Sequence, residues 1–145
     1  MEVPEGEYII PIGVADIKRE GSDVTIVSFG KIIKEAYKAA DELAKENISV
    51  EIIDLRTVRP MDHNAILKSV KKTNRLIILE EAWPFGSVSS EITYRIQDEA
   101  FDYLDAPIKR ITTADTPAPY SPVLLEKWLP NYTDVLKAVK EVLYL

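Results

Sequence analysis

Two neighbouring acidic residues, Glu80 and Glu81, could take part in acid–base chemistry. They follow four successive aliphatic residues at 76–79, a pattern typical of a strand buried on both faces of a parallel sheet. Open α/β sheets bind their ligands at the carboxyl ends of such strands. One carboxylate could serve as a general base, but no histidine, cysteine or serine directly beside the pair completes a catalytic set. A hydrogen bond to a neighbouring domain therefore explains the pair better.

Three further positions have residue types that could bind an anion, a metal or a proton. Gly30 ends a predicted strand and Lys31 opens a helix, so backbone N–H groups there could hold an anion, although no dinucleotide or P-loop motif surrounds them. Arg59 could clamp a carboxylate or phosphate with its planar guanidinium, or it could brace its own loop. His63, the single histidine, follows a predicted helix cap at Asp62. We expect it to be exposed there, with a ligand or acid–base role as the minor alternative.

Two other features favour contacts with proteins or domains over catalysis. Trp83 and Phe85 place two large aromatic side chains in one predicted loop, where they fit an interface between domains. Four acids gather at the end of a predicted helix, where the helix dipole disfavours negative charge: Asp98, Glu99, Asp102 and Asp105. They indicate a docking patch for a basic partner, and a merely solvated face is the equal alternative.

Length and composition limit the classes of function. The 145 residues, 46% of them hydrophobic and 29% charged, suit one globular domain with a sizeable core. A formal charge of −6, from 18 basic and 24 acidic residues, argues against nucleic acid as a partner. The absence of cysteine excludes disulfides, thiolate nucleophiles and cysteine-ligated metals, and a single histidine excludes any site that needs two imidazoles.

The N-terminal sequence and the hydropathy indicate in which cellular compartment the protein is expected. The sequence has no run of 18 or more apolar residues, and its acidic N-terminus lacks the pattern of a signal peptide. We therefore expect a cytoplasmic protein without membrane partners.

Hydrophobic periodicity predicts strands that alternate with helices along most of the chain. Apolar residues spaced as an amphipathic stripe predict helices at 32–46, after the cap at Asp62, at 88–104 and from about 133. Short β-rich runs predict strands at 14–20, 24–29, 49–55, 75–81 and 108–112.

This alternation predicts an α/β fold with parallel central strands, because each helix supplies the crossover that parallel pairing needs. The tight turn at 21–23 predicts that the first two strands pair as a hairpin, so that the first strand runs antiparallel to the rest. Residues 1–12 contain two prolines and three glutamates and suit an extended arm or linker, which leaves 13–145 as the domain.

Four segments together resemble one enzyme family. They are IIDLRTVRPMD (52–62), LEEAWPFGSVSSEI (79–92), FDYLDAPIKRITTADTPAPYS (101–121) and WLPNYTDVLKAVKEVL (128–143). They resemble the C-terminal domain of the β subunit of thiamine-diphosphate-dependent 2-oxoacid dehydrogenases, most closely the pyruvate dehydrogenases, within the wider transketolase C-terminal domain superfamily. The resemblance covers nearly the whole chain from about Ile10.

The resemblance implies a three-layer α/β/α sandwich around a mixed five-stranded sheet whose first strand is antiparallel. In that family the complete enzyme decarboxylates pyruvate with thiamine diphosphate and magnesium and acetylates lipoyl groups of an acyltransferase core. The cofactors bind to the N-terminal domain and the α subunit. This sequence lacks the family's GDG and asparagine signature for magnesium and diphosphate. The domain alone is therefore expected to hold no catalytic, cofactor-binding or metal-binding residue and to be inactive.

The resemblance also implies partners and docking groups. The implied partners are the N-terminal domain of the same β subunit, the α subunit, a second β subunit and the peripheral-subunit-binding domain of the dihydrolipoyl acyltransferase. The family's docking acid falls on Asp105, and the second docking group is the α-carboxylate of Leu145. Glu99 is added from its charge and position alone. Trp83 and Phe85 are expected at the interface with another domain.

Three alternatives remain open from the sequence. The chain could belong to a branched-chain or acetoin dehydrogenase, because substrate-selecting residues lie elsewhere. It could be the C-terminal domain of a transketolase or a deoxyxylulose-phosphate synthase, which share a similar R-x-x-x-P-[LM]-D loop, here Arg56 to Asp62. It could also be a free-standing anion-binding module that uses the corner at Gly30.

Overall fold

A mixed five-stranded sheet forms the centre of the computed structural model, which describes residues 5–145. The strands are Asp16–Arg19 (β1), Val24–Ser28 (β2), Val50–Asp54 (β3), Leu76–Leu79 (β4) and Lys109–Ile111 (β5). They lie in the order β1-β3-β2-β4-β5, and β1 is antiparallel to β3 while every other neighbouring pair is parallel. The predicted fold class is confirmed, because strands β2 to β5 are parallel and a helix connects each of them to the next along the chain.

Helices cover both faces of the sheet and complete three layers. They are Ile33–Lys45 (α1), His63–Thr73 (α2), Val88–Ala100 (α3), Pro122–Trp128 (α4) and Tyr132–Val142 (α5). One buried cluster joins α1 and α5 to one face, and a second joins α2 and α3 to the other. Successive strand residues alternate between the clusters, as Ile26 and Val27 do, because strand side chains point to opposite faces.

Capping residues fix the helices that carry candidate site residues. The Asp62 side chain accepts a hydrogen bond from the Ala65 N–H at 3.1 Å, which confirms it as the N-cap of α2. The same carboxylate accepts the Ala15 N–H at 3.0 Å and so ties the start of the domain to α2. At the other end of α2, Asn74 takes a left-handed conformation with φ of 60°, a common way for a helix to end.

The first two strands do not form the hairpin that the turn at 21–23 predicts. β3 lies between them in the sheet, so the connection from β1 to β2 crosses the start of β3. Gly21 allows this crossing, because a Cβ atom on it would lie 2.2 Å from backbone atoms of Val50 and Glu51. β1 is antiparallel to the rest as predicted, but its partner is β3.

The helix predicted over 88–104 is shorter in the structure. α3 ends at Ala100, and a 3-10 turn follows at Phe101–Tyr103. The last turn of α3 contains no basic residue, and Asp98 and Glu99 oppose the helix dipole there, which disfavours continuation of the helix. Asp105 therefore lies in the loop that leads to β5.

The part of the predicted arm that the structure describes lies outside helices and strands. Residues 5–12 carry exposed apolar side chains, namely Tyr8, Ile9, Ile10 and Ile12. Residues 1–4 of that arm lie outside the described residues. No helix within 5–145 is long and apolar enough to span a lipid bilayer.

Candidate docking and interface surfaces

Asp105 has an exposed carboxylate, and Arg75 contacts one of its two oxygens. Its Oδ2 lies 3.4 Å from Nη2 of Arg75, and 56% of its side chain is exposed. The backbone N–H of Asp105 donates to the Asn74 carbonyl at 2.9 Å, which fixes the loop against the end of α2. The second carboxylate oxygen makes no hydrogen bond within residues 5–145 and could accept one from a basic side chain of a partner.

The end of the chain packs beside Asp105. Nε of Arg75 donates to the Val142 carbonyl at 2.9 Å, at the end of α5. The Tyr144 hydroxyl donates to the Asp105 carbonyl at 3.1 Å, and Leu145 is 76% exposed. Arg75 thus joins Asp105 to the end of α5. The last residues of the chain therefore lie beside the Asp105 loop.

A small apolar cavity opens next to Asp105. Its volume is about 290 Å³, and its lining includes Phe101, Leu104, Ala106 and Pro107. Phe101 is 65% exposed and forms part of the rim of this face. A carboxylate next to an apolar recess suits a partner side chain that is basic at its tip and apolar along its stem.

Glu99 lies away from Asp105. Its Oε1 is 3.1 Å from Nε2 of His63, the first residue of α2, whereas Asp105 contacts Asn74 and Arg75 just beyond the last residue of α2. The two acids therefore contact opposite ends of a helix about 16 Å long. The structure does not bring Glu99 together with the other candidate docking groups.

His63 is more buried than the sequence predicts. Only 13% of its side chain is exposed, because the start of α2 packs against the end of α3. Neither ring nitrogen has a hydrogen-bond partner within the described part of the chain, so the approach to Glu99 is an ionic contact only when the ring is protonated.

Trp83 belongs to an aromatic surface. Nε1 of Trp83 and Nε1 of Trp128 both donate to the carbonyl of Thr116, at 3.0 and 2.9 Å. These bonds join the loop at 83–87 to the proline-rich loop at 114–121. Trp83 is nevertheless 53% exposed and Phe85 is 90% exposed. The two joined loops, which we call the aromatic loops, thus present an exposed apolar face.

Glu80 anchors one aromatic loop instead of acting toward another domain. Its buried carboxylate accepts the Ser89 N–H at the start of α3, at 3.2 and 3.3 Å. The Ser89 hydroxyl accepts a hydrogen bond from Nε of Arg110 at 2.8 Å, and Nη2 of Arg110 donates to the Pro84 carbonyl. These bonds stay within the domain, which corrects the expected contact to a neighbouring domain, and Glu81 is exposed.

The other sequence candidates are placed as follows. Gly30 has φ of 71° with open space around it, and Lys31 next to it is exposed. Arg59 is exposed, precedes a cis peptide bond to Pro60 and has no ion pair within residues 5–145. Lys31 and Glu81 line one open pocket of about 460 Å³, together with Lys34 and Lys38.

Arg75 and Trp128 organise the candidate surfaces, and neither was predicted from the sequence. Arg75 begins a run of aliphatic residues, and its charge at the edge of a buried strand was the available signal. Trp128 ends α4 and meets Trp83 only through the fold.

The described residues include no group of three or more His, Asp or Glu side chains that could hold a metal ion. The described residues form two surface features, namely an exposed carboxylate beside an apolar recess and an exposed aromatic face.

Comparison with known proteins identifies the family of the chain. A family model described as "Transketolase, C-terminal domain" matches residues 13–135. The pyruvate dehydrogenase E1 component subunit beta of Rhizobium meliloti (strain 1021) is 51% identical over 144 residues, which cover 99% of this chain and 31% of the relative. The acetoin:2,6-dichlorophenolindophenol oxidoreductase subunit beta of Bacillus subtilis (strain 168) is 48% identical over 142 residues, 98% of this chain and 42% of the relative.

A solved structure supports the same assignment. The structure described as "Split gene transketolase, inactive beta4 tetramer" superposes with a TM-score of 0.82 and 27% identity, over 100% of this chain and 46% of that one. The chain spans less than half the length of the curated relatives it matches. Since the family model matches most of its residues, the chain belongs to the transketolase C-terminal domain family.

Proposed function

We propose that this chain is the C-terminal assembly and docking domain of a pyruvate dehydrogenase β subunit. The observation that carries the proposal is the identity of about half of all residues to such subunits, over practically the whole chain. Under this proposal the complete enzyme decarboxylates pyruvate and acetylates lipoyl groups of a dihydrolipoyl acyltransferase core. Thiamine diphosphate and magnesium bind to the rest of that enzyme, and this domain contributes contacts.

The proposed partners divide between the two surfaces. The aromatic loops face the N-terminal domain of the same subunit, the α subunit or a second β subunit, because a face with exposed aromatic residues is typical of subunit interfaces. The relative described as a beta4 tetramer supports contact between β chains. The face with Asp105 receives the peripheral-subunit-binding domain of the acyltransferase.

The docking argument starts from the charges around Asp105. Arg75 contacts only Oδ2, so a basic side chain of the acyltransferase can bind the other oxygen without displacing Arg75. The α-carboxylate of Leu145, at the chain end beside the same loop, is the second docking group. Glu99 contacts the far end of α2, and we therefore expect it to contribute less.

The decisive measurement is the affinity of the chain for the isolated peripheral-subunit-binding domain, at two salt concentrations. We expect Asp105→Asn to weaken binding at least about tenfold, which is about 1.4 kcal/mol, because a charge pair is lost. Residues appended after Leu145 should have a similar effect. Asp115→Asn, an exposed acid in a different loop, is the matched control and should bind as the wild type does.

Unchanged affinity of Asp105→Asn at low salt would remove this residue from the docking site. Urea unfolding of each variant separates lost docking from lost folding, and the exposed Asp105 side chain predicts unchanged stability within about 0.5 kcal/mol.

A β subunit of an acetoin-oxidising enzyme is the second candidate, because one such relative is 48% identical over 98% of the chain. The same titration discriminates the two when it is repeated with subunit-binding domains from pyruvate and acetoin complexes. Tighter binding to the acetoin type would favour the second candidate.

A further inference from the structure

β5 is an edge strand of the sheet, because β4 is its one strand partner within the described residues. We propose that this edge binds an extended, acidic segment of another polypeptide chain, which adds to the sheet as a sixth strand. The proposal concerns a surface apart from Asp105 and does not depend on docking of the acyltransferase.

The backbone along this edge has groups ready for a further strand. The Glu80 N–H donates to the Ile111 carbonyl, and the Thr113 N–H donates to the Ala82 carbonyl, each at 3.0 Å. These bonds direct residues 111 and 113 toward the neighbouring strand. Since hydrogen-bonding groups alternate along a strand, those of Arg110 and Thr112 point to the open edge, where an added strand could pair with them. The next outward group, the Ala114 N–H, already donates to the Trp128 carbonyl at 3.2 Å, so an added strand would end beside Thr112.

A groove of about 450 Å³ runs beside this edge. Six consecutive residues, 109–114, form one wall, which corresponds to about 20 Å of extended chain. The other wall is one face of α5 and the segment before it, with Trp128, Lys137 and Ala138 among its residues. A strand edge opposite a helix face fits an extended segment better than a compact small molecule.

The groove is basic in a chain whose net charge is −6. Its charged lining residues are four bases and two acids: Lys109, Arg110, Lys127, Lys137, Asp134 and Glu141. The Arg110 guanidinium is not available to a ligand in the groove, because it donates to the Ser89 hydroxyl and the Pro84 carbonyl.

Internal contacts account for both acids. Lys109 contacts Glu141 at 2.7 Å and lowers the pKa of that carboxyl, so this pair stays ionised and its charges cancel. The Asp134 carboxylate accepts the Asn131 N–H at 2.9 Å and completes the cap of α5.

Two lysines remain available to a ligand. Lys127 has no ion pair within the described residues. Lys137 is 79% exposed, and its Nζ is 4.0 Å from the nearest oxygen of Glu141. An added strand with carboxylates on alternate residues would place them all on one face, toward these lysines. Edge lysines can also simply block strand pairing, and the experiment separates the two roles.

The test uses a fluorescein-labelled synthetic peptide, acetyl-EVEVEV-amide, titrated with the full 145-residue chain and followed by fluorescence anisotropy at low salt. The matched peptide acetyl-KVKVKV-amide has the same strand propensity and the opposite charge. We expect saturable binding of the acidic peptide, weaker binding in higher salt, and no saturation with the basic one. Equal binding of both peptides, or no saturable binding of the acidic one, would overturn the proposal. The lysines would then serve to prevent strand pairing at this edge.

Variants then test the backbone and the charges separately. Thr112→Pro removes the outward N–H and should weaken binding at least about tenfold, whereas Thr112→Val keeps that N–H and should bind normally. Lys127→Glu together with Lys137→Glu should also weaken binding at least about tenfold, and Lys34→Glu, an exposed lysine on α1, should not. Circular dichroism checks folding, and if Thr112→Pro does not fold, the lysine variants decide. Wild-type affinity in the lysine variants would contradict the proposal.

Discussion

Glu51 is an acidic residue buried inside the sheet. It lies on β3 with none of its surface exposed. Ser69 donates to its Oε1 and Lys72 donates to its Oε2, both from α2, and the Gly21 N–H lies 3.4 Å from Oε2. A charged residue at a buried strand position needs such partners, because an unpaired buried charge is very costly.

Burial and pairing act on these groups in opposite directions. Burial raises the pKa of Glu51, and the hydrogen bond to Lys72 opposes this. The hydrogen bond to Glu51 raises the pKa of Lys72, and the hydrogen bond to Lys72 lowers the pKa of the exposed Glu20. A raised carboxyl pKa in the folded state means that Glu51 favours folding while it is protonated. This contribution is lost as pH rises through its folded pKa.

Lys72→Met should therefore destabilise the domain at neutral pH, because it leaves the buried Glu51 carboxylate without its cationic partner. We expect a loss of about 3 kcal/mol, which is the lower end for a broken buried ion pair, since 43% of the Lys72 side chain is exposed. Without Lys72 the pKa of Glu51 rises further, so we expect a smaller loss near pH 4.5 than at pH 7. Urea unfolding at both pH values measures this difference.

Two variants serve as controls for the Lys72 experiment. Lys68→Met, on an exposed position of the same helix, should change stability by less than about 0.5 kcal/mol. Adding Glu51→Gln to Lys72→Met should recover part of the loss, because no buried charge then remains. Equal losses at both pH values would show that the charge of Glu51 is not the cause.

At the scale of elements, periodicity located the strands and helices because each element buries one face or both. The run at 76–79 is a buried central strand, and Asp62 begins α2, as predicted. The partner strand of β1 could not be predicted from local sequence. A turn such as 21–23 has the same sequence signal whether the next strand lies beside β1 or one place further away in the sheet. Only the long-range contact with β3 distinguishes the two.

Gly21 tests that crossing. We expect Gly21→Ala to destabilise the domain by at least about 3 kcal/mol, the upper end for overpacking, because the added Cβ would overlap backbone atoms of β3. Gly30→Ala is the matched control. Gly30 has φ of 71° and open space around it, so its substitution should cost only about 1 kcal/mol of backbone strain. Thermal or urea unfolding compares the two, and similar losses would contradict the crowding at Gly21.

At the scale of the molecule, the two candidate surfaces differ in how far the sequence revealed them. Trp83 and Phe85 stand out because large aromatic side chains beside proline are unusual in a loop, and both are exposed in the structure. Their partner Trp128 lies 45 residues after Trp83 and meets it only through the Thr116 carbonyl. Arg75 was likewise missed, since a lone arginine before a strand has no local signature of its contact with Asp105.

The aromatic loops give a prediction for the whole molecule. Phe85 is 90% exposed, Tyr120 is fully exposed and Leu124 is 54% exposed, which is much apolar surface for one region of a small domain. We therefore expect the isolated chain to associate with itself through this face, and Phe85→Ser together with Tyr120→Ser to shift it toward monomers. Tyr94→Ser, an exposed residue of α3, is the control and should leave association unchanged. Sedimentation velocity over a range of concentrations measures the distribution. A wild-type chain that stays monomeric throughout would show that this face does not bind a second copy by itself, and would leave the other subunits as its partners.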